Sequence, residues 1–206
     1  MLAALLIALG AGGAFRAQAG GIAIDHPQLT ASAEGGYVLS ADFRFDVNRR
    51  MADVVARGVT LVFVLEFELK YPRWYWVDET VAKKRMTWRL SYHALTRQYR
   101  LSSDALYQSF ATLEEALQRL SHISNWQTVR RALPPGTNFQ AGLRFRLDVS
   151  QLPKPFQFSA TTGRDLDFDS GWQYWTFVPP DAPPIPAAEP DAAAQQEAAA
   201  PALETP

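Results

Sequence analysis

Apolar and polar residues alternate with a period of two over much of the chain, the pattern of strands that bury one face. Tyr37, Leu39, Ala41, Phe43 and Phe45 fall on one side of such a run, and Val38, Ser40, Asp42 and Arg44 on the other. Ahead of it, Ile22 to Ala31 reads as a strand whose Pro27 has no N–H for a ladder, which predicts an edge position or a bulge. Glu34-Gly35-Gly36 turns one into the other as a hairpin. From Val59 to Lys70, Val59, Leu61, Phe63, Leu65, Phe67 and Leu69 share a face, opposed by Thr60, Val62 and Val64 and then by Glu66, Glu68 and Lys70. Its first half is apolar on both faces, so it is expected as a central strand whose far end leaves the core.

An aromatic connection, Tyr71 to Glu79, leads to a second alternating run, Val81 to Tyr92, then a turn at Ala94 to Thr96 and a return strand from Gln98 to Leu101. This hairpin puts Trp88, Leu90 and Tyr92 on one face and Arg89, Ser91 and His93 on the other. Phe139 to Val149 alternates again, Phe156-Gln157-Phe158 reads as an edge strand, and Trp172 to Phe177 closes the folded part. Two stretches change period. Asn48 can cap a short helix that stops at Gly58, with Met51, Val54 and Val55 on one face. Thr112 and Glu115 form a capping box ahead of the stripe Leu113, Ala116, Leu117 and Leu120. Seven or so strands, two short helices and no βαβ alternation predict a mainly β fold. The expected form is an antiparallel β-sandwich, with an immunoglobulin-like arrangement among the forms it can take.

The two ends lie outside this pattern. Leu2 to Leu9 is apolar, and Ala17-Gln18-Ala19 is an A-x-A cleavage site, although no Lys or Arg precedes the apolar run. Residues 1–19 are therefore expected to be a signal peptide cleaved after Ala19, with an uncleaved anchor as the alternative, and the domain to span residues 20–178 in the periplasm. The run is short for a membrane span, which needs roughly 20 apolar residues. Residues 179–206 are Pro, Ala, Gln, Asp and Glu almost throughout, a composition that cannot offset the entropy of ordering it and reads as a disordered tail. The tail holds five acids, Asp181, Glu189, Asp191, Glu197 and Glu204, and no base, leaving the body from Gly20 with 19 Lys and Arg against 16 acids. That mild excess falls short of the concentrated basic face that nucleic acid requires. The chain has no cysteine, so neither a disulfide nor a lipoprotein anchor is available, and the core alone must hold the fold.

Catalytic signatures are missing. His26, His93 and His122 share no metal-ligand spacing, no Gly-rich phosphate loop occurs, and Ser91 beside His93 lacks a nucleophile elbow, so neither a metal nor a cofactor is expected. Asp165, Asp167 and Asp169 stand at alternate positions like the opening of a calcium loop, but the glycine falls one place late and Thr176 stands where a bidentate glutamate belongs. An exposed acidic loop is the simpler reading. Trp74, Tyr75 and Trp76 could stack on sugar or apolar peptide, or be cross-strand pairs. Lys83-Lys84-Arg85 could meet phosphate or an anionic lipid surface, or form a solvated edge. Arg97 and Arg100 flank the hairpin, and pairing with Glu66, Glu68, Asp78 or Glu79 is the expected structural role.

The block Trp88-Arg89-Leu90-Ser91-Tyr92-His93-Ala94-Leu95-Thr96-Arg97-Gln98-Tyr99-Arg100-Leu101 resembles the proteobacterial DUF4390 family. The N-terminal segment, Trp74-Tyr75-Trp76, the helix near Leu113 and Trp172 are similar too, so the likeness runs from about Ile22 to Phe177. That family is a domain of unknown function and brings no catalytic residues. Its members are often encoded near a membrane sensor histidine kinase, which implies a partner in the envelope. The expectation is a non-enzymatic periplasmic domain that binds a protein or peptide, an accessory of such a kinase, through Trp74, Trp76, Arg89, His93, Arg97 and Arg100. Two alternatives stand beside it: an envelope hydrolase or carbohydrate-binding module using the aromatic run and the acids, and a calcium-stabilised structural domain.

Overall fold

The computed structural model describes residues 21–45, 49–73, 78–103, 106–157 and 168–180. The expected signal segment, the Asn48 cap, Trp74 to Trp76, Phe158, Asp165, Asp167 and the tail from Asp181 onward lie outside the described residues.

Two antiparallel sheets face each other. The smaller holds β1 (Ile22–Ala31), β2 (Tyr37–Phe45) and β7 (His122–Val129) in the order β1-β2-β7. The larger holds β3 (Leu61–Tyr71), β4 (Glu79–His93), β5 (Gln98–Ser103), β6 (Leu106–Phe110), β8 (Phe139–Leu147) and β9 (Gln173–Phe177) in the order β6-β5-β4-β3-β8-β9. With α1 (Arg49–Ala56) and α2 (Leu113–Leu120), the architecture is the mainly β antiparallel sandwich that the alternation predicts.

The core lies where the period-two faces put it. Leu61, Phe63, Leu65, Phe67 and Leu69 of β3 are completely buried and meet Leu39, Ala41 and Phe43 of β2 across the sheet interface. Phe145 of β8 is the hub: its ring lies 4.6 Å from Phe43, 5.6 Å from Phe45, 6.0 Å from Phe63 and 5.6 Å from Trp88. These edge-on and tilted contacts join both sheets in one apolar layer. Val62 and Val64 are buried on the opposite face, so the first half of β3 is covered on both sides.

Pro27 accounts for the shape of β1, which is both an edge strand and bulged between Asp25 and Gln28, with His26 at φ 47°. On the other flank of β2, β7 carries an extra residue where Leu39 pairs with Trp126 but Ala41 pairs with Ile123, and another between Val129 and Gln127. Asn125 takes φ 53° at the first of these. Gly36 allows the β1–β2 turn to pass close under β7, because a Cβ there would stand 2.0 Å from the Val129 carbonyl oxygen.

Both helices end as their sequences require. Gly58, at φ 83°, closes α1: its N–H reaches Val55 O at 2.9 Å and the Val59 N–H reaches Val54 O at 3.3 Å. Val59 thus completes the helix cap and β3 starts two residues later, at Leu61. At α2 the capping box is formed, with Glu115 N–H donating to Thr112 Oγ1 at 3.2 Å and Thr112 N–H to Glu115 Oε2 at 3.4 Å.

Three expectations are corrected. β6 and β7 are strands that the sequence pattern did not yield, which brings the count to nine among the described residues. Phe156 and Gln157 belong to a helical turn, not an edge strand: Pro153 opens the turn, and its carbonyl accepts from the Phe156 N–H at 2.9 Å. Arg97 and Arg100 pair with none of the acids expected of them. Glu66 is taken by Arg146, Glu68 by Lys70 and Tyr174, and Glu79 by Arg73, while β4 lies between β5 and β3.

Candidate functional site

Two surfaces stand out, and only one of them contains the residues singled out from the sequence. The outer face of the larger sheet is divided by its charge pairing. Both arginines of β8 meet an acid: Arg146 Nε donates to Glu66 Oε2 at 3.1 Å and Arg144 Nε to Asp169 Oδ1 at 2.9 Å; on the neighbouring part of β4, Arg85 approaches Asp148 at 3.7 Å. Burial would push the Asp169 carboxyl up, but its hydrogen bonds with Arg144 and the Gly171 N–H hold it below the ordinary range. Its bond with Asp169 raises Arg144 in turn.

The hairpin end of that face, on β4 and β5, is left unneutralised. Arg89 stands opposite Ser102 on one side and Val62 on the other, and Arg100 stands between Ser91 and Ser109. Neither arginine makes an ion pair among the described residues, and the Nε of Arg100 is buried without a hydrogen-bond partner there. His93 shares this face but serves the turn: its Nδ1 lies 3.1 Å from Thr96 Oγ1 and accepts from the Thr96 N–H at 3.4 Å. Arg97 sits in the turn itself at φ 52°, exposed. Arg89, His93 and Arg100 therefore come together on one sheet face with Arg97 at its tip, while Trp74 and Trp76 fall outside the described residues.

The second surface lies between the sheets. The three-stranded sheet sits over β8, β3 and β4, with β1 against β8 and β7 against β4. The inner faces of β5 and β6 project beyond it, and α2 covers only part of them. What remains open is a groove of about 490 Å³, floored by Met86, Trp88, Leu101 and Leu106 and walled by Ile123 and Trp126 of β7. Ser103, Gln108 and Arg119 add polar atoms to it. Among the described residues, no strand pairs with β7 on its groove side. Leu106 and Tyr107, 78% and 72% exposed, stand on β6, the edge strand of the larger sheet among the described residues. The groove escaped the sequence reading because β6 and β7, which form it, did. Trp126 beside Ile123 was the available signal.

Among the described residues, no group of three His, Cys, Asp or Glu side chains is placed to hold a metal ion. Asp169, the described member of the Asp165-Asp167-Asp169 series, is committed to Arg144.

The fold and these two surfaces define a β-sandwich domain with one sheet unfinished over the other. The chain belongs to the DUF4390 family, a domain of unknown function, whose profile matches residues 19–176. No curated protein and no solved structure matches it.

Proposed function

We propose that this protein is a non-enzymatic, exported binding domain that takes an extended segment of a partner protein along the free edge of β7. The observation that carries this reading is the unequal size of the sheets, three described strands over six, with a groove of apolar floor and mixed walls where a further strand would lie. A segment added beside β7 would pair the open backbone groups of that strand and direct every second side chain onto Trp88, Leu101 and Leu106. Export rests on the apolar N-terminal run and the A-x-A site. The partner favoured by the family resemblance is an envelope protein, first of all the extracytoplasmic part of a membrane sensor histidine kinase. The hydrolase alternative needs a free acid beside the aromatic run, and the pairing of Asp169 with Arg144 weighs against it.

A peptide library displayed on phage and selected on the full chain tests this. Sequences with alternating apolar residues should be enriched, and binding should slow amide exchange at Ser124 to Gln127. Ser103→Trp, which fills the groove, should abolish binding without changing the melting temperature. Peptides that bind Ser103→Trp equally well, or that protect amides elsewhere, would sink the reading.

A further inference from the structure

Leu95 is 92% exposed at the apex of the β4–β5 turn. A leucine in that position contributes nothing to the core, yet the turn that presents it is fixed by His93 and Thr96. Basic residues surround the same end of the sandwich. Arg97 and Arg100 flank Leu95 in the hairpin, exposed Arg57 follows α1 just before β3, and exposed Lys154 follows the end of β8. Of the acids there, Asp148 lies against Arg85 and Arg146, Glu115 caps α2, and Asp53 and Glu114 are exposed.

The chain also enters the fold at this end. Ile22 pairs with Phe45, and the Phe45 ring packs 6.0 Å from Phe63 near the start of β3, where Leu61 pairs with Leu90 just below the hairpin tip. The first described strand thus begins on the side where Leu95 projects. The groove faces away, since Ser103 and Leu106 lie at the opposite end of β5.

We propose that this end docks on an anionic phospholipid surface, with Leu95 entering the headgroup layer and Arg97, Arg100, Arg57 and Lys154 meeting lipid phosphates. An apolar tip with Arg97 beside it and further cations at the same end fits that surface in both chemistry and charge. The inference goes beyond the groove reading and does not depend on it. Docking in this orientation holds the groove clear of the bilayer.

The absence of cysteine permits a direct test in the full chain. An environment-sensitive dye on Leu95→Cys should move to an apolar setting on phosphatidylglycerol vesicles and stay in water on phosphatidylcholine vesicles. The same dye on Ser124→Cys, in the groove, should report water on both. In sedimentation, every variant has the same N-terminus, so differences isolate the tip. Arg97→Gln and Arg57→Gln should each weaken partition to phosphatidylglycerol about fivefold, and Leu95→Ser about tenfold. Salt at about 1 M, where the screening length is ~3 Å, should remove the difference between the lipids. A dye at position 95 that stays in water, equal partition to both lipids, or variants that partition like the parent would overturn the proposal and leave an acidic protein surface as the occupant.

Discussion

The ring of Tyr174 lies over Gly142, so close that a Cβ on the glycine would stand 2.6 Å from it. The Tyr174 hydroxyl reaches across β8 and donates to Glu68 Oε1 on β3 at 2.9 Å, while Lys70 Nζ lies 2.6 Å from the same oxygen. One side chain thereby ties edge strand β9 to the centre of the sheet. Gly142→Ala should displace the ring and cost about 1–3 kcal/mol, read from urea denaturation. In a Tyr174→Ala background the same substitution should cost much less. Equal costs in both backgrounds would show that the ring is not the obstacle.

Phe145 touches aromatic rings from both sheets, and Phe145→Ala should therefore destabilise by about 3–5 kcal/mol. A loss below about 1 kcal/mol in thermal or chemical unfolding would contradict its place as the hub.

Asp169 gives a pH dependence of known sign. Its folded carboxyl titrates below its ordinary value, so the stability it contributes is present above that ordinary value, near ~3.9, and disappears as pH falls through the lowered one. Asp169→Asn should lower stability at neutral pH, and the gap from the parent should close below about pH 4. A gap independent of pH would rule out the ionised pair as its source.

Arg100 and Arg144 should respond in opposite ways. Arg100→Met removes a buried Nε that has no partner among the described residues, so stability should hold or rise by up to about 1 kcal/mol. Arg144→Met leaves Asp169 unpaired and should cost about 1–3 kcal/mol. A destabilising Arg100→Met would mean that this arginine is structurally satisfied.

Legibility in the sequence followed the strength of local pattern. β2, β4 and β8 show the period of two because one face of each packs on the core, β3 stands out by being apolar on both faces in its first half, and the α2 capping box is complete within four residues. β6 and β7 were not legible for a physical reason. Residues 106–109 of β6 are exposed on both faces, and the two extra residues in β7 break its period of two. The hairpin face with Arg89, His93 and Arg100 could be read from alternation alone. Their lack of acidic partners could not, because it depends on which strands lie beside β4 and β5. Phe156 was misread because an aromatic next to prolines looks like an interrupted strand until Pro153 is seen to start a turn.

The irregular pairing of β7 also has a consequence for self-recognition. With extra residues at two points, the strand presents an uneven row of donors and acceptors, and a straight strand, including β7 of a second molecule, cannot follow it along its whole length. Any segment laid along this edge has to accommodate the irregularity at Asn125. The same two bulges that hide β7 from its sequence pattern therefore disfavour edge-to-edge pairing between copies of the chain.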